Sequence, residues 1–438
     1  MTYDGLRPLR HNSRSLGRVQ DSSDNALERQ LGRNAVPDFI QPGQITTVHD
    51  FGTTSPGQLR DLLTPHVEHR PIGLVLPITA SDMRAAPFDQ IVKRLAETDF
   101  LAEIVIALGL APDRSDYQET LQRIAPLGDR ARVLWTDGPR VQQIYQELSD
   151  AGFRLGGGGK GRAVWTAFGY LLSNPKLHVY ALHDCDIVDY DWTLLARLCL
   201  PLVHSSFDYE FCKAYYARYT DRFHGRVVRL LVAPLMRSMA SVIGQNSFLD
   251  YLSSFRYPLA GEFAVTSSLA RTNRIPSDWG LEVGTLAEVF RNTSVKRVCQ
   301  VDICHRYEHK HQDLSREDPT KGLMKMATDI LTTLFRTLAS MGQVMHMEHF
   351  AALRSAYLRV AQNSIRQYHA DATLNGLALD RHGEERAVEG FAQQIGVAGE
   401  NFLADPLGGE AIANWSRVLA ARPSCPNELR AAAEEDLI

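Results

Sequence analysis

Paired cysteines, a charge excess and long apolar runs are all missing from this 438-residue chain. Its six cysteines, Cys185, Cys199, Cys212, Cys299, Cys304 and Cys425, form no Cys-x-x-Cys pair and fit no zinc frame, which excludes zinc-finger and dithiol chemistry. The formal net charge is only −4, from 47 Lys and Arg against 51 Asp and Glu. No broadly positive surface for nucleic acid follows from such a balance. No apolar stretch reaches the ~18 residues of a membrane span; the best candidate, residues 227–243, is broken by Arg229 and Arg237. The opening residues lack the apolar stretch of a secretory signal. These absences predict a cytoplasmic protein with reduced thiols and no membrane insertion. Internal repeats and low-complexity tracts are missing too.

What is present is an ordinary globular composition, 44% hydrophobic and 22% charged, with ample material for a core. Residues 1–45 are polar and aperiodic, and read as a mobile or loosely docked arm. From there apolar strands alternate with amphipathic helices. Strands are expected at Gly73–Pro77, Ala102–Leu108, Val133–Trp135 and Val179–Leu182, with helices at Pro87–Ala96, Val141–Ala151 and Lys160–Leu172. That alternation predicts a mainly parallel α/β sheet covered on both faces, with ligands at the carboxyl ends of its strands. Residues 190–300 mix helices and loops before a late strand at Arg297–Asp302. Helical spacing then dominates, so the division expected is 46–315 for the α/β domain and 316–438 for a helical region serving as lid, homodimer element or both.

Five constellations carry chemistry. Asp184-Cys185-Asp186 follows a buried strand, and alternate residues of an extended segment put two carboxylates on one side. Such oxygens suit Mg2+ or Mn2+; the plainer alternatives are solvated aspartates or a cap for the helix from Trp192. His309-Lys310-His311 offers a neutral imidazole to the same ion, or is a surface loop. Gly156–Gly159 and Lys160 open a helix, where backbone N–H groups and an ammonium favour phosphate, although the P-loop pattern is absent. The alternative is a flexible linker. His224-Gly225-Arg226-Val227-Val228-Arg229 presents an arginine fork to an anion, or begins a basic helix. Leu259-Ala260-Gly261-Glu262, with Ser277-Asp278-Trp279 and Glu282 following, suits sugar hydroxyls, or simply supplies ion pairs, a cap and core.

The order of these signals along residues 70–315 resembles the glucosyl-3-phosphoglycerate synthases, retaining glycosyltransferases of the GT-A (Rossmann-like) fold that are similar to mannosylglycerate synthases. The resemblance implies transfer of glucose from a nucleoside diphosphate sugar, typically UDP-glucose, to the 2-hydroxyl of 3-phosphoglycerate with a divalent cation. It implies donor contacts at Pro77, Ile78, Gly159, Lys160, Asp184 and Cys185, and metal ligation by Asp186 and His309, with His311 competing. Gly225, Arg226, Val227, Val228 and Asp278 are implied on the acceptor side, and Glu262, Asp184 and Glu282 at the reacting centre. Two departures stand out. Ile78–Asp82 lacks the Asn-Glu that follows the first strand in that family, and Val228 replaces a Thr of the acceptor loop.

Overall fold

The apolar runs read as strands lie in one sheet. The computed structural model describes residues 41, 43–276, 280–308, 321–408 and 411–436. Its strands are β1 (Thr46–Val48), β2 (Ile72–Thr79), β3 (Leu101–Gly109), β4 (Ala131–Trp135), β5 (Val179–Leu182), β6 (Phe211–Tyr216), β7 (Phe263–Thr266) and β8 (Val298–Cys304). β5, β6 and β7 are buried at every position. Runs this continuously apolar are what a sheet covered on both faces requires.

The sheet order is β1-β8-β6-β7-β5-β2-β3-β4. Only β7 runs against its neighbours β5 and β6; the other pairings are parallel. The mixed, mainly parallel GT-A sheet expected from the sequence is therefore present. The antiparallel insertion has one consequence for the site. Leu182, the last residue of β5, pairs with Phe263, the first of β7. The carboxyl end of one strand and the amino end of the next thus meet, bringing the residues after Leu182 beside those before Phe263.

Boundaries shift slightly from expectation. β2 continues past Pro77 to Thr79, because the Thr79 hydroxyl accepts from the Asp82 N–H at 3.1 Å and caps a short helix, Ala80–Met83. The strand expected at Arg297–Asp302 runs Val298–Cys304 after a 3-10 turn. Most of the arm expected over residues 1–45 lies outside the described residues. Its end is docked: Gln44 N–H donates to Ser254 Oγ at 2.9 Å, and Ile45 is buried.

Helices Gly322–Ser340, Met347–Leu374 and Arg381–Ala404 follow the sheet. Their buried faces belong to the same hydrophobic cluster as Val75, Leu182 and Phe263, so the core is continuous from sheet to C-terminal helices. Trp415 closes it, stacking on Trp165 with centroids 4.3 Å apart. Each indole N–H is satisfied, Trp165 Nε1 by the Ala413 carbonyl at 2.8 Å and Trp415 Nε1 by the Trp165 carbonyl at 2.9 Å. Among the described residues no helix is long and apolar enough to cross a membrane.

Candidate active site

β5 delivers His183-Asp184-Cys185-Asp186 at its carboxyl end, and β7 supplies Gly261 and Glu262 from the opposite direction. Gly261 is the close contact: a Cβ there would lie 2.5 Å from Asp184 Oδ2, so only glycine lets the carboxylate take this place. The third contributor is the helix Lys160–Leu172, whose first residue reaches back with Nζ 2.5 Å from Asp184 Oδ1. Glu282, in the first turn of the helix Leu281–Asn292, lies 3.6 Å from the same ammonium. Burial alone would depress Lys160, but the Asp184 and Glu282 carboxylates outweigh it and hold the ammonium above its ordinary value. A permanently charged lysine at a helix N-terminus is a ready partner for a diphosphate.

Lys160, Asp184, Gly261 and Glu282 line one side of a cavity of about 350 Å3. The loop after β6 supplies the cationic side, with Arg218, Arg222, His224 and Arg226. Gly225 enters it at φ 68°, and Val227 and Val228 begin a π-helical turn, Val227–Val232, of the kind that often marks functional segments. Leu323, Met326 and Ile330 of the C-terminal helices add an apolar wall. The expected acceptor residues Gly225, Arg226, Val227 and Val228 all face this space together with Lys160, Asp184 and Glu282. Pro77, Ile78, Gly159, Cys185, Asp186 and Glu262 are not among its lining residues.

Glu262 is almost completely buried and accepts from two tyrosines, Tyr216 OH at 2.7 Å and Tyr307 OH at 2.5 Å. Their rings stack with centroids 3.8 Å apart. Burial raises both hydroxyls well above the ordinary tyrosine value, so they stay protonated donors. Tyr216 lines the cavity; Glu262 therefore meets it through Tyr216. The sequence singled out neither tyrosine, although Tyr216 ends β6 and Arg218 follows two residues later.

His183 was also passed over. Its Nδ1 lies 2.9 Å from the Asp184 carbonyl and its Nε2 3.1 Å from Tyr190 OH. A carbonyl only accepts, so Nδ1 carries the proton and Nε2 accepts from the tyrosine. Burial pushes its pKa down to about 4, leaving a neutral ring that fixes the Asp184 backbone. Cys185 is buried, which raises its thiol well above the ordinary value.

The donor chemistry fits a hard divalent cation: two carboxylates, Asp184 and Asp186, leave the strand one residue apart. Among the described residues no three His, Cys, Asp or Glu side chains converge tightly enough to hold a metal alone. His309, His311 and Asp278 lie outside the described residues. Glu308, just before His309, has its carbonyl bonded by the Val188 N–H at 2.9 Å, so that chain passes directly beside the Asp184–Asp186 loop.

A mixed sheet of this order, with a two-carboxylate loop leaving its centre, is the arrangement of the GT-A class. No protein-family model matches the chain. Curated relatives do. A glucosyl-3-phosphoglycerate synthase from Persephonella marina is 42% identical over 399 residues, covering 91% of this chain and 98% of its own. One from Methanococcoides burtonii is 39% identical over 409 residues, with 91% and 98% covered. The chain belongs to the glucosyl-3-phosphoglycerate synthase family, and is a hexosyltransferase. Among solved structures, mannosyl-3-phosphoglycerate synthase from Rubrobacter xylanophilus shares the fold, with a TM-score of 0.50 at 20% identity, covering 68% of this chain and 83% of its own.

Proposed function

We propose that the enzyme moves glucose from UDP-glucose to the 2-hydroxyl of 3-phosphoglycerate, with retention at the anomeric carbon and dependence on Mg2+ or Mn2+. The observation that carries this reading is one cavity with the Lys160-Asp184-Glu282 cluster on one side and the cationic Arg218–Arg226 loop on the other. The first suits a leaving diphosphate, the second an acceptor that is itself anionic. The names of the two long-matching relatives agree with that pairing.

In this scheme Lys160 and the helix N-terminus stabilise charge building on the leaving phosphate. Asp186, with His309 or His311, would hold the divalent cation, which would supply Lewis-acid neutralisation of the diphosphate. Asp184 orients the donor near its ribose and sugar. Arg226, with backbone N–H groups of Gly225–Val228, grips the acceptor's anionic group. The bond between the anomeric carbon and the phosphate oxygen breaks as the bond to the acceptor oxygen forms on the same face. The acceptor's proton passes to the leaving phosphate oxygen. Glu262 positions Tyr216 against the sugar rather than touching it.

The turn Thr79–Asp82, in place of an Asn-Glu grip, favours testing other donor bases. The decisive assay sets UDP- and GDP-sugars against 3-phosphoglycerate, glycerate and glycerol 3-phosphate, with Mg2+, Mn2+ or chelator, and reads product by mass spectrometry. Glucosyl-3-phosphoglycerate made only with metal and UDP-glucose supports the reading. Transfer to none of these acceptors sinks it.

A further inference from the structure

Glu384 sits in the first turn of the helix Arg381–Ala404 and is only 3% exposed. Its two oxygens go to two different arginines of the cavity loop. Arg226 Nε donates to Oε1 and Arg229 Nη1 to Oε2, each at 2.9 Å. The two arginines are not equivalent. Arg229 is buried, tied by Nε to the His224 carbonyl at 2.8 Å and stacked 4.8 Å from the Tyr368 ring centroid. Arg226 lines the cavity, and its side chain is 39% exposed. Among the described residues its one hydrogen bond is through Nε, which leaves both Nη groups of the planar fork available to the cavity.

The same loop is fastened to the C-terminal helices elsewhere. Ala378 N–H donates to the Asp221 carbonyl at 2.8 Å, and Tyr357 OH to the Leu230 carbonyl at 2.6 Å. The apolar wall of Leu323, Met326 and Ile330 comes from that region too. Arg226 and the segment around it are thus braced from residues 322–404.

We propose that Glu384 is a positioning residue for acceptor recognition. By holding Arg226 at Nε it aims the guanidinium fork at the acceptor's anionic group, which makes acceptor selectivity a property of the C-terminal helical region. The proposal rests on the reading that this cavity takes an anionic acceptor. A carboxylate that only neutralised the buried Arg229 would matter to folding, and would affect both substrates alike.

The test is initial-rate kinetics of the full chain with UDP-glucose and 3-phosphoglycerate. Glu384→Asp keeps the charge and withdraws the carboxylate by one methylene; Glu384→Gln keeps the size and removes the charge. The acceptor KM is expected to rise roughly tenfold, well beyond any change in the donor KM. Arg226→Lys, which loses Nε and the fork, is expected to raise the acceptor KM in the native background and to add little in Glu384→Asp. Glu384→Asp leaves both arginines compensated, so it reports even where Glu384→Gln fails to fold. An unchanged acceptor KM in Glu384→Asp, or a donor KM rising in step, overturns the proposal. A native enzyme inactive on every anionic acceptor overturns the functional reading instead.

Discussion

Lys160 Nζ lies 2.5 Å from Asp184 Oδ1, joining a helix N-terminus to the carboxyl end of β5. The contact sets a cation beside the two-carboxylate loop before any substrate enters. Stabilising groups already in place spare the reaction their reorganisation, which is how fixed charges lower a barrier.

Asp186→Ala tests the other half of that loop. Losing several kcal/mol of charge stabilisation corresponds to a fall in turnover of about 1000-fold. Initial rates across a Mg2+ titration measure it. Near-native activity at every Mg2+ concentration would place the metal elsewhere.

Gly261→Ala should act through Asp184. The new Cβ falls 2.5 Å from Asp184 Oδ2, so the carboxylate must move. A displacement near 1 Å at a reacting centre costs about 100-fold. kcat/KM should drop on that scale while circular dichroism stays native. Unchanged kinetics would mean that the Asp184 position is not critical.

Lys213 links pH to stability. It is fully buried on β6, its Nζ without a hydrogen-bond partner among the described residues and 5.5 Å from the Phe263 ring centroid. Burial pushes its pKa from 10.5 down to about 8, against the opposing pull of Glu282 and Glu262. The fold disfavours the charged form, so the penalty is complete below pH 8 and fades as pH rises from 8 to 10.5. Lys213→Met removes that titration. Its stability advantage over the native chain should be largest near neutrality and shrink by about 1 kcal/mol by pH 9. Urea melts of both chains across that range decide it, and a difference flat with pH counts against it.

Trp415→Ala should cost about 3–5 kcal/mol, the scale for deleting a buried aromatic. Because Trp415 joins the C-terminal segment to Trp165 in one continuous core, unfolding should stay a single transition at lower denaturant. Two separated transitions would show instead that the C-terminal helices unfold on their own.

Strands β2 to β5 were legible because strands buried on both faces are largely apolar runs. β5 ends visibly at Leu182, so the aspartates after it could be placed at a strand's carboxyl end. The helix start at Lys160 was legible for a similarly local reason, since the glycine run ends where the periodic apolar stretch begins. β6 and β7 were not resolved individually. A four-residue strand such as Phe263–Thr266 is shorter than the window over which alternation can be recognised, and its antiparallel direction leaves no mark in composition.

The sequence by itself determined the α/β alternation, the order of chemical signals and the residue types offered to metal, phosphate and anion. Only the tertiary structure decided which of them meet. It put Gly261 against Asp184, set Glu262 behind Tyr216 and Tyr307, and brought Glu384 across 158 positions of chain to Arg226. The physical reason is one of range. Periodicity, capping and turn preference act over a few neighbouring residues, whereas the partner of a buried charge is chosen by how distant elements pack.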